Sequence, residues 1–279
     1  MILRKLIFLF FISTSIYAKP YVLVSIAPQK FFVDQIAKGC VETIVLVPPG
    51  ASPHSFEPTA KQLINASKSA LWFSIGEPFE KKAINVLKSH NTFIQIVDTK
   101  KNITLLKGSC CHHCPDDVDT HIWLSPKNAS IIASTIKEAL VNKFPEKKTF
   151  FDENHNRLIE KLEALDQTLQ ANFAKIKDKT ILVSHPAFGY LAKDYGFKQI
   201  SIEVEGKDPT PKQLTELLKL AKSENIRSIY AQEQYQTKGA YIIAKAIKAQ
   251  VIMVDPYCED YINNTLKISL DFTHTHAAD

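Results

Sequence analysis

Apolar residues recur at three- and four-residue steps from Phe151 through His155, Leu158, Leu162, Leu165, Leu169 and Phe173 to Ile176, with no Pro or Gly between them. That spacing predicts one uninterrupted amphipathic helix over about 150–176, roughly 40 Å long at 1.5 Å per residue. A new strand pattern opens at Thr180, so the helix reads as a spine between two lobes that each supply half of one site. Ahead of it, apolar β-branched runs at Tyr21–Ala27, Glu42–Val47, Ala70–Ser74 and Phe93–Val97 alternate with helical patterns after Pro28, about Lys61–Lys68 and across Phe79–Leu87. Ser125 with Pro126 starts another helix through about Lys143. Behind the spine the same alternation returns: strands at Thr180–Ser184, Phe197–Ile202, Ile226–Ala231 and Val251–Val254, with helices closing at Gly196, opening at Thr210-Pro211, and over Lys238–Lys248 and Tyr261–Leu270. The expected fold class is α/β: two βα lobes with mainly parallel sheets, bridged by one long helix, with any ligand in the interlobe cleft. In domain terms this gives 1–18, 19–147, 148–177 for the bridge and 178–279.

Residues 1–18 differ in kind. Arg4 and Lys5 precede a short apolar run and a small residue, Ala18, which reads as a cleaved signal peptide directing export to the periplasm. No Cys stands near the cleavage point, so no lipid anchor is expected. Without Arg4 and Lys5 the formal charge falls from +5 to +3. Lys is spread along the helices rather than clustered with aromatics, which gives no support to nucleic-acid binding. With 45% hydrophobic residues, the remaining chain has enough apolar material for a real core. Five Cys are too few for a disulfide scaffold.

Candidate chemistry lies in loops past strand ends, where parallel sheets present ligands. His54 sits in PPGASPHSFEPT, His121 in DTHIWLSP, His185 directly after the strand at Thr180, and Asp255 at the end of the last strand. A cleft between lobes can gather these four into an N₃O set that suits Zn²⁺ and accepts Mn²⁺. Four protein ligands leave no open position for an activated water, so such a site holds an ion rather than catalysing. HEXXH, GXSXG, Walker and dinucleotide patterns are absent. Asp119 is placed to reach a ring nitrogen of His121, while Glu233 and Cys258 stand as alternate ligands or outer acceptors. Cys40 belongs at the opposite end of the first lobe from Cys258. Cys110, Cys111, His112, His113 and Cys114 form a separate tract, followed by Asp116 and Asp117. Five adjacent ligands cannot share one tetrahedral ion, so this tract reads as an exposed accessory loop with low-affinity metal capture or a local disulfide, or else as a solvated linker.

The motifs PHSFEP, DTHIWLSP, SHPAFGYLAKDYG, GKDPTPKQL, IYAQE and VDPY, in this order over nearly the whole chain, resemble those of the metal-specific substrate-binding proteins of bacterial ABC importers. The closest likeness is to the periplasmic zinc-binding component. The resemblance implies a bridging helix, no enzymatic activity, a monomer, a single transported metal ion and a membrane permease as partner. It carries the ligand roles onto His54, His121, His185 and Asp255. His185 stands where manganese-type members often have Glu, which favours zinc, with Mn²⁺ the alternative. Phe56 replaces a common Tyr, and the CCHHCPDD tract is shorter than the His-rich loops of zinc members. Two rivals remain at this level: a zinc hydrolase using Asp255 or Glu233 around bound water, and a buffering module centred on Cys110–Cys114.

Overall fold

The computed structural model describes residues 18–108, 118–176, 180–204, 206–235 and 237–274. The expected signal segment therefore falls almost wholly outside the described residues, as does the Cys110–Cys114 tract.

The first lobe is built from β1 (Tyr21–Val24), α1 (Ala27–Ala37), β2 (Glu42–Val45), α2 (Ala60–Ala66), β3 (Leu71–Ser74), α3 (Pro78–His90) and β4 (Gln95–Asp98). All four strands are parallel, in the order β2-β1-β3-β4. The central pair is the continuous apolar run that a sheet covered on both faces demands: Val22, Leu23 and Val24 register against Leu71, Trp72 and Phe73, and all six are buried. A 3-10 turn at Ile122–Leu124 leads into α4 (Pro126–Lys143), whose first turn is fixed by Ser125 Oγ accepting from Asn128 N at 3.1 Å.

The second lobe repeats the plan with β5 (Thr180–Val183), α6 (Gly189–Tyr195), β6 (Lys198–Ser201), α7 (Pro211–Ser223), β7 (Ser228–Ala231), α8 (Lys238–Ile247) and β8 (Gln250–Met253), ordered β6-β5-β7-β8. Strand order reverses between β1 and β3 and again between β5 and β7, which opens a crevice at the carboxyl ends of each sheet.

Between the lobes runs α5 (Lys148–Phe173), 26 residues long. Its near half packs on the first lobe, where Asn154 Nδ2 donates to Ile36 O at 3.0 Å. Its far half belongs to the second: Phe173 stacks on Tyr195 and Phe197 at 5.2 and 5.0 Å, and Asp166 Oδ1 accepts from Tyr195 Oη at 2.6 Å. The periodicity placed His155 on the apolar stripe, but Asn154 is the buried residue there and His155 is only half-buried, its Nε2 facing Ser134 Oγ at 3.0 Å. The reason is the Ile36 carbonyl, one of the orphan acceptors at the end of α1, which needs a donor that an amide supplies.

The last helix, α9 (Tyr261–His274), also straddles the lobes. Tyr261 Oη donates to Trp123 O at 2.7 Å and its ring packs on Phe31 and Phe32, while Trp123 Nε1 returns a bond to Pro256 O at 2.8 Å. Two helices and this aromatic seam hold the crevices facing one another. Among the described residues, no helix is long and apolar enough to cross a membrane.

Candidate metal centre

Three histidines meet where the crevices face. The ring centroids of His54, His121 and His185 form a nearly equilateral triangle with sides of 5.1, 5.1 and 5.2 Å. One ligand atom from each lies within 4.8 Å of the other two. His54 comes from the proline-bounded loop after β2, His185 from the residues that follow β5, and His121 from the segment entering the 3-10 turn before α4.

Each imidazole is held from behind by a carboxylate at Nδ1. Glu77 Oε2 lies 2.8 Å from His54, Asp119 Oδ1 2.8 Å from His121, and Glu203 Oε2 2.7 Å from His185. With Nδ1–H committed to an acid, a neutral imidazole carries its lone pair on Nε2, so the Nε2 atoms are the ones left to meet in the centre. The acids are themselves fixed. Glu77 occupies the position before α3, ahead of Pro78, and its carboxylate accepts from Thr120 Oγ1 at 2.8 Å. Asp119 Oδ1 also accepts from His121 N at 2.9 Å, and its carbonyl accepts from Tyr190 Oη at 2.8 Å. The His185 backbone is clamped by Gln232, whose Oε1 accepts from His185 N at 3.1 Å and whose Nε2 donates to His185 O at 2.9 Å.

The electrostatics suit a cation. Burial, and then the charges of His121 and His54, hold the His185 imidazole well below its ordinary value, so it stays neutral and ready to donate its lone pair. Its Nε2 is buried with no hydrogen-bond partner among the described residues. Burial alone would push Glu77 up, but His54, His121 and Thr120 outweigh it and leave the carboxyl below the usual carboxylate range. Acids behind each ring offset the cost of placing a divalent cation in a buried pocket.

The fourth expected residue is placed differently. Asp255 follows β8, and its Oδ1 accepts from Gln234 Nε2 at 2.8 Å and Tyr257 N at 2.9 Å, outside the triangle of histidines. It lines an interlobe cavity of about 250 Å³ together with Val47, Pro49, Tyr257 and Cys258. Partial burial raises the Cys258 thiol above its usual value, which opposes thiolate ligation there. Glu233 is exposed, and the adjacent Gln232 is the residue turned inward. Cys40 and Cys258 are both free thiols.

Four residues that the loop pattern does not single out complete the centre. Glu77 and Glu203 lie just past β3 and β6, where the rule that selects His185 and Asp255 applies equally to them. Tyr235 stacks face to face on His185 at 3.7 Å and 6° between planes, and Tyr257 Oη sits 3.2 Å from His121 Nε2. Tyr257 belongs to the VDPY motif, but nothing in the local pattern marks either tyrosine as reaching the histidines.

Gly189 is required by this packing. A Cβ built there would lie 2.7 Å from Asp119 Oδ2, below any tolerable contact. Gly189→Ala is expected to push the acid off His121 and weaken metal binding by about tenfold, the lower end of what losing an outer partner of a metal-bound His costs. Chelator competition measures this, and unchanged affinity would show that Asp119 does not tune the site.

The family model for the periplasmic zinc-uptake complex component A, ZnuA, matches residues 22–266. A putative metal-binding protein of Chlamydia trachomatis is 33% identical over 255 residues, covering 91% of this chain and 90% of its own. The high-affinity zinc uptake system protein ZnuA of Bacillus subtilis is 32% identical over 247 residues, covering 83% of this chain and 76% of its own. A crystal structure of ZnuA superposes with a TM-score of 0.88 at 31% identity, covering 93% of this chain and all (100%) of the other. The chain thus belongs to the ZnuA family, the metal-binding, non-catalytic substrate-binding components of ABC importers.

Proposed function

We propose that this protein captures Zn²⁺ in the periplasm and hands it to the membrane permease of an ABC importer. The observation that carries the choice of metal is the set of three imidazoles, each backed by an acid and converging from both lobes. Neutral nitrogen donors suit zinc, and zinc stands well above manganese in intrinsic affinity for such a set. The Bacillus subtilis relative, named for zinc uptake, points the same way.

In this reading His54, His121 and His185 bind through Nε2, and Asp255 supplies the oxygen that completes a tetrahedron once its loop moves toward them. Residues 1–18 are removed on export, and 19–147 and 178–279 form the two lobes around the 148–177 bridge. The Cys110–Cys114 tract serves loading rather than tight binding. Mn²⁺ is the competing cargo, because an Asp oxygen together with imidazoles would also accept it.

A competitive titration of metal-depleted protein, residues 19–279, with Zn²⁺ against Mn²⁺ decides between the two. One tight zinc equivalent with weaker manganese is the expected result. Preferential manganese binding would transfer the cargo assignment, and tight binding of neither would overturn the proposal.

A further inference from the structure

We infer that Tyr257 is a displaceable occupant of the metal position, and that the Tyr235–Tyr257 pair sets how readily the site loads and unloads. The inference rests on the reading of His54, His121 and His185 as metal ligands. Tyr257 Oη lies 3.2 Å from Nε2 of His121, the nitrogen that faces the other two histidines. Because Nδ1–H of His121 donates to Asp119, Nε2 carries the ring's lone pair and is an acceptor, so the tyrosine donates to it. That lone pair is the one a metal needs. Metal and tyrosine proton therefore compete for a single electron pair.

The arrangement is built to let the hydroxyl leave. Tyr257 Oη also bonds Tyr235 Oη at 2.7 Å, so on metal entry it keeps its proton and retains a polar partner instead of being stranded in a buried site. Tyr235 is held by its stacking on His185, and the Tyr257 ring by packing against Trp123 at 5.2 Å. Tyr257 N is bonded to Asp255 Oδ1, so release of the hydroxyl and movement of the Asp255 loop involve the same few residues. A contact made only in the metal-free state weakens metal binding by its own free energy. A carrier that must surrender its cargo gains from such a competitor, which is ready to retake His121 as the metal departs.

The test compares wild type, Tyr257→Phe and Tyr235→Phe by chelator competition with Zn²⁺ and by stopped-flow release to excess chelator. Tyr257→Phe is expected to tighten zinc binding by about fivefold and slow release, the effect of removing one net hydrogen bond from the metal-free state. Tyr235→Phe removes the partner that the Tyr257 hydroxyl keeps when metal enters, so it is expected to weaken zinc binding by about twofold, and it carries the test if Tyr257→Phe fails to fold. Long-range ¹H–¹⁵N spectra of the histidine rings supply a readout that a packing role would not move: the His121 Nε2 resonance should differ between wild type and Tyr257→Phe without metal and coincide with zinc bound. Equal or weaker zinc affinity in Tyr257→Phe, or His121 resonances that still differ with zinc bound, would overturn the inference while leaving zinc capture intact. If wild type prefers Mn²⁺, the same comparison is made with that ion. Tight binding of neither metal by wild type would remove both readings.

Discussion

His121→Ala is expected to weaken zinc binding by more than about 100-fold, beyond the range that losing an outer partner of a metal-bound His produces. His121 is fully buried, its Nδ1 is committed to Asp119, and its Nε2 faces His54 and His185. Alanine removes one of three nitrogen donors and nothing nearby replaces it, since Asp255 is already counted as the fourth ligand. Circular dichroism should show the fold retained, because the variant leaves Asp119 its bond from the residue-121 amide. A second comparison isolates the route: adding Gly189→Ala to His121→Ala should cost no further affinity, because the acid it displaces acts through the missing ring. Tight zinc binding by His121→Ala would remove the three-histidine centre from the proposal and return attention to the Cys110–Cys114 tract.

Acidification is the second large effect. Zinc affinity should hold between about pH 8 and 7 and then fall by up to about tenfold per pH unit for each histidine that must lose a proton to bind. His185 is expected to join late. Burial, reinforced by His121 and His54, depresses its value, so it stays neutral where an ordinary imidazole near 6.5 is already half charged. The pH dependence of zinc affinity should therefore steepen at lower pH, where the His185 ring begins to take up its proton. The stability of the metal-free protein moves in the same direction. A histidine with a depressed folded value contributes stability that is complete above about 6.5 and lost as pH falls through the folded value. Glu77, also depressed, adds stability that is present above about 4.5 and lost below it. Titrations at several pH values, paired with thermal melts of the metal-free protein, check both. Flat affinity from about pH 8 to 5 would contradict imidazole ligation.

Both effects depend on residues of unequal legibility. The three histidines are visible in the chain because each follows a strand or strand-like segment and is flanked by residues that fix the backbone, such as Pro53 before His54 and Pro186 after His185. The bridging helix is visible because its apolar spacing is local, although periodicity could not tell that the Ile36 carbonyl would draw Asn154 inward and leave His155 at the rim. Asp255 is visible as a strand-end acid, yet its bonds to Gln234 and Tyr257 depend on the fold of that turn.

By itself the sequence determined the alternation of strands and helices, the two lobes, the spine and the type of donor at each loop, because these follow from short-range periodicity and from the rule that parallel strands present ligands at their carboxyl ends. Asp119 behind His121 was legible from their spacing, but only the tertiary structure decided that Glu77 backs His54 and Glu203 backs His185, that Gly189 lies against Asp119, and that Tyr257 reaches His121 from 136 residues away. The physical reason is that these pairings are made across strand order and between lobes, where sequence separation carries no information about distance and burial leaves each polar group to find its partner in three dimensions.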